Sequence, residues 1–341
     1  MKKRVLWLDI MRIFAIFCVL ICHSPAPYDG LAGGRFFISA FNYYGLACGP
    51  NLFFMISGAL LLTKVYDYHT FLRKKILRIV LPLVFWSLTY LLLDAFIYKN
   101  ITINDLLCKI SLIPFYAQVP QFWFLYAILG IYIITPILSK WLHSCSKQEV
   151  KMLLLFWLIT LLLPYLIHIN SSISEITSIG VGWLHYCVGY CGYALLGYYI
   201  KTYIDIKHIK FSYLFVTLIL IMILPGILEY VAKLPHEAIN HQRSLNMALM
   251  SGVTFCIIMK IFISCDDEIN KKHQLIIAVS NYSFGVYLVH LLFLPLVKYY
   301  IAPLHINYLI QIPLTAIVIG FISLLFVFLL SKFKIAKYII G

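Results

Sequence analysis

Ten stretches of this chain are each long and apolar enough to cross a lipid bilayer as a helix, and that pattern leaves little freedom in the choice of fold. They fall at 6–26, 42–62, 77–98, 121–140, 152–169, 183–200, 211–231, 245–263, 275–297 and 308–330. A spanning helix needs about 20 residues to cover roughly 30 Å of hydrocarbon, so ten of them take about 200 of the 341 residues. The rest must supply nine connections and two tails, which excludes a sizeable soluble domain. Backbone groups in lipid have to be satisfied within their own segment, so the runs are read as helices. Outer-membrane strands would show stretches of roughly ten residues with alternating polarity, and this sequence has none. Only 12% of residues are charged, against about 25% in soluble domains. The expected architecture is all-α: a polytopic membrane protein of about ten transmembrane helices, forming one domain over 1–341.

The 27 Lys and Arg against 13 Asp and Glu would suggest a nucleic-acid partner in a soluble chain. Their placement argues otherwise. With the N-terminus inside, twenty of the 27 fall in inward-facing regions and six (Arg35, Lys99, Lys109, Lys233, Arg243, Lys298) face outward, leaving Arg12 within the first span. That asymmetry is what the positive-inside rule predicts for ten spans with both termini cytoplasmic, and it explains most of the net positive charge without nucleic acid. The first apolar run follows Met1-Lys2-Lys3-Arg4 but contains Arg12, so it is read as a retained span and not as a signal peptide. The nine Cys residues include no CxxC pair and sit mostly in apolar runs, where they act as small buried hydrophobes.

In so apolar a chain, the polar side chains inside spans carry the information. Arg12 and His23 are eleven residues apart, a turn of about 1,100° that returns to within about 20° of the same helix face, with a rise of about 16.5 Å. Asp9 lies three residues before Arg12 and can orient or neutralise it. An Arg at spanning depth costs several kcal/mol, which points to a functional partner. The inward run Phe71-Leu72-Arg73-Lys74-Lys75-Ile76-Leu77-Arg78 contains a second cluster. Arg78, at the start of the third span, can turn its guanidinium back to the interface and fork onto phosphate oxygens, and Lys75 can share its face. Arg73 and Lys74 fit either a phosphate site or the topology rule alone. Ser57, Trp123, Glu229, Tyr287 and His290 are candidates for support or acceptor binding. His236, Glu237 and His241 lack the HExxH spacing, so no metal site is expected, and no phosphate loop, dinucleotide fingerprint or GxSxG elbow is present.

Five motifs in this order resemble the integral-membrane acyltransferases called acyltransferase family 3: Arg12 with His23; Phe53-Phe54-Met55-Ile56-Ser57-Gly58; the basic run ending Arg78-Ile79-Val80-Leu81-Pro82; Phe122-Trp123-Phe124-Leu125; and Tyr282-Ser283-Phe284-Gly285-Val286-Tyr287-Leu288-Val289-His290. The resemblance covers nearly the whole chain and is nearest to compact bacterial surface-glycan O-acetyltransferases without a fused periplasmic domain. It implies transfer of an acyl group, typically acetyl from cytosolic acetyl-CoA used as a co-substrate, to a hydroxyl of a lipid-linked or surface glycan. No tightly bound cofactor is expected. By the same resemblance, Arg12 and His23 match the essential first-span pair, Arg78 and its neighbours match the donor-binding region, and Ser57 with Gly58 shapes the site. Lys74 and Lys75 depart from an arginine-rich form of the basic motif and lack its planar fork. The implied location is the bacterial cytoplasmic (inner) membrane, with membrane lipids as neighbours. The alternative function is a glycan or lipid-linked-intermediate transporter without acyltransferase activity.

Overall fold

In a computed structural model, the chain is described over residues 4–24, 34–162, 165, 183–231, 244–264, 273–304 and 307–341; side chains of 34–43, 46, 183–188, 226, 228–230, 302 and 308 fall outside that description. All regular structure among the described residues is helical. The helices are α1 (Leu6–Cys22), α2 (Gly34–Leu61), α3 (Tyr68–Leu92), α4 (Ile103–Leu112), α5 (Trp123–Ser144), α6 (Lys147–Thr160), α7 (Trp183–Tyr203), α8 (Phe211–Tyr230), α9 (Leu245–Phe262), α10 (Gln274–Ile301), α11 (Tyr308–Leu330) and the short α12 (Ala336–Ile339). Each of the ten apolar segments carries one of these helices. Among the described residues, five stretches are long and apolar enough to cross a membrane: Tyr68–Ile97, Pro120–Ser144, Leu245–Phe262, Gln274–Ile301 and Leu309–Leu330. Ala47–Leu61 and Phe211–Pro225 are shorter apolar helices.

Several boundaries differ from those expected. The helix of the third segment starts at Tyr68, about two and a half turns before the apolar run, because the Asp67 side chain accepts the Thr70 backbone N–H at 2.8 Å and caps it. That hydrogen bond also holds the Asp67 carboxyl below the usual carboxylate range. The basic run therefore rides on the same rod as the span. α6 likewise begins at Lys147, where Ser146 and Glu149 form a reciprocal capping box. In the connection at 99–120, a second such box, Thr102 with Asp105, starts α4. A 3-10 turn, Pro120–Phe122, then leads into α5.

α1 is the central rod, packed by α2, α9, α10 and α11. Small residues set its closest neighbour: a Cβ on Gly45 would lie 2.8 Å from the Cys18 carbonyl oxygen, and one on Gly49 would lie 2.9 Å from the Val19 side chain. α2 thus runs antiparallel to α1, with Gly45 at the level of Cys22. On its other side α2 meets α7 backbone to backbone. A Cβ at Gly58 would overlap the Ala194 main-chain oxygen, and one at Gly197 would overlap that of Met55. Close approach of small residues is how helices in lipid gain dispersion contacts without a hydrophobic driving force. The outward faces remain apolar, as with Ile317, Phe321, Leu325 and Phe328 along α11.

The α2–α7 contact makes a direct prediction. Gly58→Ala places a methyl group against a backbone carbonyl that cannot swing aside, so the yield of folded protein should collapse. Gly252→Ala, where the nearest atom is Leu196 Cδ2 at 3.6 Å, should fold normally. Fluorescence-detected size exclusion in detergent compares the two; equal monodisperse peaks would contradict the packing.

Candidate active site

A cavity of about 820 Å³ opens beside the start of α1. Asp9 is on its lining, with a side chain 1% exposed. Arg4 Nε and Nη2 approach the two Asp9 oxygens at 2.7 and 3.1 Å, Arg12 Nη1 donates at 2.7 Å, and Ser280 Oγ from α10 donates at 2.7 Å. Arg4 reaches on to Asn281 Oδ1 at 2.8 Å. A buried carboxylate is tolerable only when paired and hydrogen-bonded in this way. Asp9 and Arg12 stand about one turn apart on α1, Arg4 reaches Asp9 from the segment just before the helix, and α10 supplies the neutral donor.

Six cationic side chains line this cavity (Arg4, Arg12, Lys64, Lys75, Arg78 and Lys201) against one acidic side chain, Asp9. Lys75 holds its ammonium 5.6 Å from the centre of the Tyr132 ring, and Lys201 Nζ donates to the Ala59 carbonyl at 2.8 Å. Arg78 Nη2 donates to the Gly341 main-chain oxygen at 2.7 Å, and Trp86 Nε1 donates to that of Ile339 at 2.7 Å, so the α12 segment lies across the same end of the bundle. Ser57 is on the wall. Arg73 and Lys74 are exposed and line no part of the cavity.

The inner wall is apolar, formed by Phe53, Phe124, Ile128 and the Tyr287 ring. Phe124 lies 5.4 Å from Tyr287, ring centre to ring centre. Beyond this wall the His23 and His290 rings stand 5.2 Å apart. His290 Nδ1 is 2.7 Å from the Tyr287 main-chain oxygen, and the Tyr287 hydroxyl donates to the Gln121 main-chain oxygen. α1 keeps Arg12 and His23 on one rod but about 16.5 Å apart along it, so only Arg12 reaches the cavity.

The family model described as an acyltransferase domain, acyltransferase family 3, matches residues 5–332. The chain belongs to that family. No curated protein and no solved structure matches it. Family membership makes it an acyltransferase, with an acyl donor and, in general, a carbohydrate hydroxyl as acceptor.

In this acyltransferase the chain brings together more than its motifs announce. Tyr287 touches both regions: its ring faces the cavity, and it lies 6.1 Å from the His290 ring. Trp123 packs instead among Phe54, Phe124 and Tyr190, away from the cavity lining. Glu229 belongs to α8, but its side chain lies outside the described residues, as do His236, Glu237 and His241. Among the described residues no group of His, Cys, Asp or Glu gathers as metal ligands. Sequence reasoning treated Arg4 as topology alone and missed its pairing with Asp9. It also missed Asn51 and Gln121, two amides inside otherwise apolar runs, whose signal was polarity without charge.

Proposed function

We propose that this acyltransferase moves an acetyl group from acetyl-CoA to a hydroxyl of a cell-envelope carbohydrate or lipid-linked sugar, in the bacterial cytoplasmic membrane, with ten spans and both termini cytoplasmic. The observation that carries the reading is the six-to-one excess of cationic over acidic side chains around the cavity at the Arg12 end. A CoA thioester carries its phosphates at one end and its reactive carbonyl at the end of a long uncharged pantetheine arm. Lys75, Arg78 and Arg12 suit the phosphates, and the Phe53–Phe124–Tyr287 wall suits the uncharged arm. His23 then acts as general base. It takes the acceptor hydroxyl proton as the oxygen attacks the thioester carbonyl, the C–O bond forms, the C–S bond breaks, and the imidazolium returns its proton to the leaving thiolate. The products are the acetylated carbohydrate and free CoA, with His23 restored.

Reconstituted protein given labelled acetyl-CoA and an envelope-glycan extract should yield carbohydrate heavier by one acetyl group, detected by mass spectrometry. Movement of glycan across the vesicle membrane with no acetylated product would instead support transport. Arg78→Ala should raise the KM for acetyl-CoA about tenfold with little change in kcat, since a charge-assisted contact at an exposed site contributes about that factor. Arg73→Ala should leave that KM nearly unchanged, because its side chain is outside the cavity lining. Equal KM values for the two variants would remove Arg78 from the donor site.

A further inference from the structure

After α11 the chain folds back onto the bundle. It turns at Ser331, whose hydroxyl lies 3.3 Å from that of Tyr282 on α10, and continues into α12. The side chains of this segment divide by face: Phe333, Ile335 and Tyr338 are more than half exposed, while Ala336 and Ile340 are buried. Two elements clasp the buried side. From α3, Trp86 Nε1 donates to the Ile339 main-chain oxygen and Arg78 Nη2 donates to that of Gly341, both at 2.7 Å. From α10, Gly285 makes room for Ile340, whose Cβ would lie 3.4 Å from a Cβ placed there, and the Phe284 ring packs on Gly341. Gly341 has a φ of +83°, in the left-handed region that glycine enters without strain, and a Cβ on it would overlap that ring.

Gly341 and Phe284 both line the cavity, so the segment forms part of its wall beside Arg78. Phe284 in turn stacks on Tyr287, with ring centres 6.3 Å apart, and so joins the cationic mouth to the apolar inner wall.

Arg78 needs such a neighbour more than the other arginines of the cavity do. Arg4 and Arg12 are already fixed by Asp9. Arg78 is exposed, and an arginine arm left alone there keeps wide rotamer freedom. The Gly341 oxygen takes one N–H and fixes the guanidinium, which has five such donors and keeps four. A planar group pinned at one corner presents its free edge in a constant direction, which suits bidentate contact with a phosphate. Order that exists before the ligand arrives does not have to be imposed by it. A segment that merely plugged the cavity would have to leave when a ligand enters, and would be held by few buried contacts. This one has two buried side chains, two hydrogen bonds to α3 and close packing on α10.

Building on the reading of this cavity as the donor site, we infer that residues 336–341 are a fixed wall of that site, and that Trp86 and Gly341 are positioning residues that set the Arg78 guanidinium for the phosphates of the acyl donor. Trp86 does not line the cavity, and it stands eight residues, about 12 Å, further along α3 than Arg78. It acts through the segment: the indole holds Ile339, and the chain from there carries the Gly341 oxygen to Arg78.

The test uses Trp86→Phe, Gly341→Ala and Arg78→Ala, together with the two double variants that join Arg78→Ala to each of the others, all in full-length protein. Equilibrium binding of CoA to the folded fraction in detergent is read beside the thermal midpoint and beside donor KM and kcat for acetyl transfer to the envelope-glycan extract. Trp86→Phe keeps an aromatic ring and deletes the N–H. Gly341→Ala changes no buried core side chain, so it carries the test if Trp86→Phe folds poorly. Each should weaken CoA binding and raise donor KM about three- to tenfold, the factor for ordering one long side chain, with kcat unchanged at saturating donor. In the Arg78→Ala background neither should weaken binding further, because the side chain they act through is gone. Unchanged CoA affinity in both single variants overturns the inference. Tighter CoA binding also overturns it, by making the segment a competitor of the donor. Losses that multiply with that of Arg78→Ala do the same, since they would be independent of the guanidinium. If the coupling to Arg78 appears in CoA binding but no acetylated product forms, the positioning stands and the acetyl-transfer reading falls. If acetylation proceeds without the coupling, the reading stands and the positioning falls. Absence of CoA binding by the unaltered protein sinks both.

Discussion

His23→Ala should reduce acyl transfer by about a hundred- to ten-thousandfold, the range that a positioned general base contributes, while acetyl-CoA binding stays near normal. The two readouts separate because of where α1 places its polar groups. Arg12 is in the cationic cavity, and His23 caps the other end of the same helix beside His290, about 16.5 Å along the axis. Removing the imidazole takes away the proposed proton acceptor without disturbing Lys75, Arg78 or Asp9. Single-turnover acetylation with labelled donor, together with equilibrium donor binding in detergent, measures both quantities. Transfer by His23→Ala at the rate of the unaltered protein would remove His23 from the chemistry. Incubating the unaltered protein with labelled donor but no carbohydrate adds a second result: label retained on His23 would mean that the acyl group passes through an acyl-imidazole.

The second large effect is on stability. Asp9→Ala should lower unfolding stability by about 3 kcal/mol, the lower end of the range for breaking a buried ion pair. The lower end is expected because Arg4 and Arg12 retain 38% and 28% of their side-chain exposure, so each keeps some water. Without the carboxylate the two guanidinium groups face each other uncompensated, and Ser280 and Asn281 lose their places in the network. Thermal unfolding in detergent reads the loss. Adding acetyl-CoA should raise the midpoint of Asp9→Ala more than that of the unaltered protein, because the phosphates supply the missing negative charge. The double variant Asp9→Ala with Arg4→Met should recover part of the stability, since it also removes one stranded cation. An unchanged midpoint in Asp9→Ala would mean that the pairing carries no net weight.

What the sequence disclosed follows from the solvent each part meets. Apolar runs of spanning length are legible because lipid forces the backbone to satisfy itself locally, and a helix is found on every one of the ten. The start of α3 was not legible from hydropathy: the first turns are basic, and the cap is a local hydrogen bond from Thr70 to Asp67. Asp9 beside Arg12 follows from helical spacing. Its link to Arg4 could be read from neither hydropathy nor charge count, because Arg4 also satisfies the topology rule. The meeting of His23 with His290 depends on how α1 and α10 pack across the whole chain, and no local period encodes it. Asn51 and Gln121 escaped because one uncharged amide barely lowers the mean hydropathy of a long apolar run and leaves no mark on the charge count, while its cost in a dry interior shows only once its neighbours are known.

The contact of α2 with α7 at Gly58 and Gly197 also limits how this machine can move. With main chains touching, a slide of one residue, about 1.5 Å, would drive a side chain into a carbonyl, so the pair behaves as a fixed keel. Phe54 and Tyr190 hang from these two helices with their rings 5.0 Å apart. Phe54 also packs on Phe124, ring centres 4.8 Å apart, so the keel sets the depth of the apolar wall.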